Sequence, residues 1–308
     1  MDGMSRRRML NVFLGSMLPT QHAVVASPGA AAGEAEECCV ETNAPQAGWR
    51  IGVLSARPGK PKTAEIGQPG LRYLGCAENR CAALFAPSGL RADQPAPLIV
   101  LLHGAGGSAS DILPLMQRLA EERKILLLAP QSERATWDLL GAGFGPDIEA
   151  IDRGLLEIFE TYRVDPRRIA IAGFSDGASY ALSVGLANGG LFSDVLAFSP
   201  GFMAPEAFVG QPAIFISHGR EDRVLPIDRC SRRIVPLLDE RGYRVDYREF
   251  DGGHVVPTNM VAAALERFLA PWRSPSPSKK DSTRLILTGA QVGAKIALLF
   301  SRRTVILA

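Results

Sequence analysis

The 308-residue sequence predicts an α/β fold, with a mostly parallel central sheet and helices on both faces, in a single domain over residues 49–272. Two observations carry this expectation. Short, continuous apolar runs alternate with segments of helical period, the pattern of a parallel sheet covered by helices. A core of roughly 225 residues is also long enough to bury a substantial interior without splitting.

The elements follow in chain order. Residues 98–102 (Leu-Ile-Val-Leu-Leu) read as a buried strand that runs into the glycine-rich turn His103-Gly104-Ala105-Gly106-Gly107. Residues 125–129 form a second apolar run. Ile148, Ile151, Leu155 and Ile158 then recur at helical spacing, and Asp147, after Pro146, is placed to cap that helix. Residues 168–172 predict another buried strand, followed by the small, apolar helix of residues 178–183. Strands are expected at 195–198, 213–217 and 245–250.

Ser175 lies between one of these strands and its helix, inside Gly173-Phe174-Ser175-Asp176-Gly177. A G-x-S-x-G at a strand-to-helix turn reads as a nucleophile elbow, in which the sharp turn lifts the serine hydroxyl above the sheet edge. The plainer reading, a turn serine capping the next helix, would prevail if the motif stood alone. Upstream, the turn at 103–107 offers freely placed backbone N–H groups. Acyl transfer needs donors aimed at the oxygen that gains charge. The N–H groups of Ala105 and Asp176 are the expected pair, because such a hole is built from this loop and the residue after the nucleophile.

Of the four histidines, His22 lies in the leader, and His103 and His218 each end a strand, where they are expected to hold neighbouring loops. His254, in Asp251-Gly252-Gly253-His254, occupies the position of the base. No ligand pair has the spacing of a metal site. Net charge is +2 with charges interspersed, so nothing argues for nucleic acid and the expected partner is a small molecule.

From about Arg72 to Trp272 the chain resembles α/β-hydrolases of the phospholipase/carboxylesterase and dienelactone-hydrolase-like group, and is similar to esterases related to polyhydroxybutyrate depolymerases. The residues that carry this are 101–107 (Leu-Leu-His-Gly-Ala-Gly-Gly), 173–177, His218-Gly219-Arg220-Glu221-Asp222 with Val224-Leu225-Pro226, and Gly252-Gly253-His254. The resemblance implies hydrolysis of carboxylic esters or thioesters through an acyl-serine, with no metal or organic cofactor. It selects Asp222 as the acid over Glu221, Asp228 and Asp251, which gives the chain order Ser175, Asp222, His254. Two departures stand out. The carboxylesterases usually have glutamine where this chain has Asp176, and the dienelactone hydrolases have a cysteine nucleophile where it has Ser175. Thioesterase or peptidase activity on the same scaffold, or a catalytically silent binding protein, are the alternatives to a small-substrate carboxylesterase.

Only residues 199–212 separate two expected strands, which leaves no room for a large helical lid. Trp137, Leu139, Phe144 and Phe202 are the candidate pocket walls. The first three, with Leu140, read equally as packing beneath a surface loop.

The ends fall outside the expected domain. Residues 4–11 resemble a twin-arginine signal, with small residues near 24–26 as a cleavage site, and 27–48 read as linker. Export and a cytoplasmic or organellar location both stay open. Residues 274–280, Ser-Pro-Ser-Pro-Ser-Lys-Lys, read as a solvated spacer at the start of the 273–308 tail. Residues 285–308 are apolar but carry Lys295, Arg302 and Arg303, which argues against a membrane span and leaves open an interfacial anchor or a non-native extension. Five cysteines cannot all pair within one chain. Cys76 and Cys81 flank an expected hairpin turn at 77–80, where a local disulfide would suit an oxidising compartment. The sequence leaves the oligomeric state undetermined.

Overall fold

The computed structural model describes residues 48–62, 67–77, 80–141 and 143–271, with the backbone alone at 76, 77 and 80. The expectations for the leader, the Pro/Ser spacer and the basic, apolar tail lie outside the described residues. Eight strands form one sheet: β1 (Gly70–Ala77), β2 (Arg80–Ala86), β3 (Ala96–Leu102), β4 (Leu126–Ala129), β5 (Val164–Phe174), β6 (Asp194–Phe198), β7 (Ala213–Gly219) and β8 (Val245–Phe250). Their spatial order is β1-β2-β4-β3-β5-β6-β7-β8. The β1–β2 hairpin is antiparallel and joins β4 antiparallel, and β4 through β8 are all parallel. The mostly parallel sheet expected from the sequence is therefore present.

The helices are α1 (Ala109–Ile112), α2 (Gln117–Arg123), α3 (Pro146–Thr161), α4 (Asp176–Ala187), α5 (Ser231–Glu240) and α6 (Thr258–Leu269). Successive side chains of a strand point to opposite faces, and here both faces are buried. Leu98, Val100 and Leu102 of β3 pack with Ile151 and Leu155 of α3, Ala181 of α4 and Ile234 of α5. Ile99 and Leu101 pack on the other side with Ala120 of α2 and Leu265 of α6. This two-sided burial is why the central strands read as unbroken apolar runs rather than alternating ones.

Two polar side chains tie the segment before β1 to this core. Asp152 of α3, fully buried, accepts the N–H groups of Ser55 and Ala56, the Ser55 hydroxyl and Nε1 of Trp49 at 2.6–3.1 Å. Asn188, after α4, accepts Leu54 N–H at 2.9 Å and donates to Gly52 O at 2.7 Å. The hairpin expected around residues 77–80 joins β1 to β2, and Cys81 is disulfide-bonded there. Cys230 is free and buried. No helix among the described residues is long and apolar enough to cross a membrane. The connection from β6 to β7, residues 199–212, carries no helix.

Replacing Asp152 by Ala removes an acceptor from four donors at once. Unsatisfied buried donors cost about 1–3 kcal/mol each, and water entering the freed segment offsets part of that. A loss of about 3 kcal/mol or more in urea unfolding is the expected result.

Candidate active site

The turn between β5 and α4 places Ser175 at the carboxyl end of the sheet, with φ 57° and ψ −122°. This backbone conformation is rare for any residue with a Cβ, and such strain persists only where surrounding structure enforces it. Here Ser175 N–H donates to Phe198 O of β6 at 2.9 Å, and Ser175 O accepts from the N–H groups of Ala178 and Ser179. The flanking glycines permit the contact. A Cβ on Gly173 would stand 2.2 Å from Gly177 O, and one on Gly177 would stand 2.4 Å from the carbonyl oxygens of Leu102 and His103. The start of α4 is thus pressed against the end of β3, where no side chain fits.

The other two motifs arrive from β7 and β8. Ser175 Oγ lies 2.9 Å from His254 Nε2, and His254 Nδ1 lies 2.6 Å from Asp222 Oδ2. A carboxylate only accepts, so Nδ1 carries the proton and Nε2 is left to accept from the serine hydroxyl. The Asp222 side chain is fully buried, and its other oxygen accepts the N–H groups of Val224 and Leu225 at 2.9 and 2.8 Å. Gly219 lets the acid and base loops meet, since a Cβ there would fall 2.3 Å from Gly252 O. The competing acids go elsewhere. Asp251 pairs with Arg220 at 2.6 Å, Asp228 pairs with Arg232 at 2.7 Å, and Glu221 is exposed.

His103 and His218 brace loops. His103 donates from Nδ1 to Gly104 O at 2.8 Å and accepts Ser132 N–H on Nε2 at 3.2 Å. His218 donates from Nε2 to Leu225 O at 2.8 Å, and its Nδ1 accepts the Ser231 hydroxyl at 2.6 Å. Burial pushes both imidazoles below the ordinary histidine range, in keeping with neutral rings.

The glycine-rich turn passes close to the serine, since a Cβ on Gly104 would lie 3.3 Å from Ser175 Cβ. Gly106 N–H is engaged by Ala135 O at 2.6 Å and Gly107 N–H by Gly104 O. The N–H groups of Ala105 and Asp176 have no protein acceptor among the described residues. The side chain of Asp176 accepts the Thr136 hydroxyl at 2.7 Å.

Two expectations need correction. Trp137 and Phe144 do not wall a cleft. Both are buried in the core, where Trp137 stacks on Tyr180 at 5.0 Å, Phe144 meets the same ring edge-on, and Trp137 Nε1 donates to His103 O at 2.9 Å. Leu139 packs half-buried against that cluster, and Phe202 is half-buried beside Ser179. Nor does Asp147 cap its own helix. Asp138 does so, accepting Gly145 and Asp147 N–H at 2.9 and 3.0 Å, while Asp147 turns inward to accept Glu133 and Asp138 N–H. The sequence reading also passed over Phe174, whose ring lies 4.7 Å from that of His254, although an aromatic side chain beside a nucleophile is a readable signal. The 680 Å³ cavity lined by Arg91, Ala96, Tyr162 and Val164 opens at the opposite, amino-terminal ends of β3 and β5.

Residues 148–272, which contain Ser175, Asp222 and His254, match the Phospholipase/Carboxylesterase family. No curated protein matches the chain. Among solved structures, Est2, an esterase from the planctomycete Thermogutta terrifontis, is similar with a TM-score of 0.54 at 17% identity, over 70% of this chain and 98% of that one. Esterase PE8 is similar with a TM-score of 0.50 at 22% identity, over 60% of this chain and 97% of that one. The Thermogutta esterase 2 phosphorylated by paraoxon has a TM-score of 0.52 at 16% identity, over 68% and 98% of the two chains. Together with the strand order, these likenesses identify the α/β-hydrolase fold.

Burial pushes the Asp147 carboxyl up to about 6, and the neighbouring Asp138 charge adds to that push. An acid whose folded value lies above its unfolded one, roughly 3.9, binds more protons folded than unfolded between those limits. Its contribution to stability therefore falls as pH rises from about 4 to 6 and stays reduced above. Relative to Asp147→Asn, the wild-type chain should gain stability on going from pH 7.5 to pH 5 in paired denaturation curves. An unchanged or opposite difference would contradict the buried, raised acid.

Proposed function

We propose that this protein is a serine carboxylesterase that cleaves small carboxylic esters through an acyl-serine intermediate. The observation that carries the reading is the unbroken line Ser175 Oγ to His254 Nε2 to Asp222, set on a strained elbow. The family match over 148–272 and the esterases of the same fold support it.

In the proposed reaction His254 Nε2 takes the hydroxyl proton as Ser175 Oγ bonds to the ester carbonyl carbon, and the carbonyl electron pair moves onto oxygen. The Ala105 and Asp176 N–H groups are aimed at that oxygen and need no reorganisation to receive it. Collapse breaks the bond to the alcohol oxygen, which takes its proton from His254. Water then loses a proton to the same nitrogen, its oxygen bonds to the acyl carbon, and the acid leaves as Ser175 recovers its hydrogen. Asp222 fixes the tautomer and offsets the charge of the imidazolium.

Two features of the surroundings support a small substrate. The β6–β7 connection carries no helix to close over the serine, and the loops that bring the acid and base expose Val224 and Val255, at 66% and 53%. A site with no helical cover from that connection, and with apolar Val224 and Val255 on its acid and base loops, suits short acyl or alkyl groups better than emulsified lipid.

Paraoxon tests the nucleophile directly. The expected result is one diethylphosphoryl adduct on Ser175, with parallel loss of short p-nitrophenyl ester hydrolysis. Ser175→Ala should lose on the order of a millionfold in kcat. A folded variant that keeps a tenth of wild-type activity would end the proposal. Asp222→Asn should cost roughly ten-thousandfold through the wrong histidine tautomer. Asp251→Asn, at a surface carboxylate 85% exposed, should change little. The reverse ranking of those two would move the acid to the His254 loop.

A further inference from the structure

The segment between β4 and α3, residues 130–145, reaches both sides of the serine. On the glycine-turn side it gives Ser132 N–H and Trp137 Nε1–H to His103, accepts Gly106 N–H on Ala135 O, and accepts Ala109 N–H on Gln131 Oε1 at 2.9 Å. On the α4 side Thr136 donates its hydroxyl to Asp176. His103 and Gly106, on either side of Ala105 in the turn, and Asp176 itself are thus fastened to one stretch of chain. By engaging Gly106 N–H, that stretch also leaves Ala105 N–H as a free donor of the turn.

Among its described residues the segment has little regular structure to define its own shape, a short 3-10 turn at Asp138–Leu140. Its shape comes from two acids that each take the other's backbone N–H. Asp138 N–H donates to Asp147 Oδ2 at 2.8 Å, and Asp147 N–H donates to Asp138 Oδ2 at 3.0 Å. The remaining oxygens extend the clasp. Asp138 Oδ1 accepts the Tyr180 hydroxyl of α4 at 2.8 Å, and Asp147 Oδ1 accepts Glu133 N–H at 2.7 Å. Asp147 is 1% exposed. Asp138 beside it is half-buried, and the cost of placing a second carboxylate against a buried one is offset by the four backbone N–H groups and the tyrosine hydroxyl that the pair accepts.

We infer that Asp138 is a positioning residue: through Asp147, Gly145 and Tyr180 it holds the 130–145 segment in the shape that aims the Ala105 and Asp176 N–H groups at the reacting oxygen. The inference rests on the esterase reading for the reaction, but its mechanical part stands apart from it.

The experiment compares the full-length wild type with Asp138→Ala and Asp138→Asn. Asparagine keeps an acceptor for Gly145 and Asp147 N–H and can donate to the tyrosine oxygen; alanine removes all three bonds. Amide hydrogen exchange reads the mechanical part without any substrate. Gly106 should exchange at least about tenfold faster in Asp138→Ala, with β5 and β6 amides unchanged and Asp138→Asn close to wild type. Turnover of a short ester reads the consequence. A misplaced donor lowers kcat, here by on the order of 10- to 100-fold, just below the loss of a whole donor, and leaves KM within about twofold. Binding of a trifluoromethyl ketone, which forms a tetrahedral adduct, should weaken in parallel. A merely structural Asp138 would lower Tm while leaving kcat of the folded enzyme and Gly106 exchange as in wild type, and that result overturns the inference. If Asp138→Ala fails to fold, Tyr180→Phe and Thr136→Val, each removing one bond, are read in the same way. A wild type that hydrolyses no ester and takes no paraoxon would sink the functional reading, and Gly106 exchange would still decide the clasp.

Discussion

The backbone of Ser175 is the constraint on which the rest of the site depends. A serine held at φ 57° is stable only because β3, β6 and α4 all close on it. Phe198 O takes its N–H, its own carbonyl starts α4, and the first turn of that helix lies against the carbonyls of Leu102 and His103. The strain is thus distributed into the parallel sheet, the most buried part of the molecule. That sheet also delivers the partners, since β7 lies beside β6 and β8 beside β7, and they carry Asp222 and His254 on their following loops. The hydroxyl, the imidazole and the carboxylate come from three separate places in the chain, and strand register brings them within hydrogen-bonding reach.

Two further histidines show how much of the site is scaffolding. His218 sits 3.3 Å from Asp222 Oδ2, yet its Nε2 proton is directed to Leu225 O, and Leu225 N–H in turn donates to Asp222. The ring therefore fixes the loop that fixes the acid. His103 does the same for the glycine turn. Burial lowers the pKa of each ring, and a carbonyl acceptor, Gly104 O for His103 and Leu225 O for His218, fixes which nitrogen carries the proton. The polar groups behind the reacting atoms are almost all spent on geometry.

How far the sequence could be read follows from where each interaction lies. Strands β3 to β7 were legible because burial on both faces demands continuous apolar residues. The hairpin turn was legible too, but the extent of β1 was not. It is an edge strand with Leu71 and Tyr73 half exposed, and neither an apolar run nor a clean alternation marks it. Ser175, Asp222 and His254 were readable because chemistry and backbone geometry confine them to short motifs at strand ends. Trp137 and Phe144 were not, because an aromatic residue among glycines looks the same whether it faces a cleft or the core. The direction is decided by Tyr180, distant in the chain. Asp138 and Asp147 escaped for the same reason. Asp147, at a helix start, suggested only a local cap, Asp138 carried no signal, and only the folded structure shows that the two exchange backbone donors.

This distribution bears on where specificity can reside. Changes to residues tied into the sheet or the two-acid clasp bear on the placement of the Ala105 and Asp176 N–H groups and of the serine. Phe174 tilts over the His254 ring, Val224 and Val255 project from the acid and base loops, and Phe202 lies on the helix-free β6–β7 connection. Val224 and Val255 make their backbone bonds within their own loops, so their side chains can change size with little effect on the line from Asp222 to Ser175. Under the proposed esterase function, Val224 and Val255 are therefore the positions where acyl or alcohol preference can be changed with least disturbance to the sheet and the clasped segment beneath them.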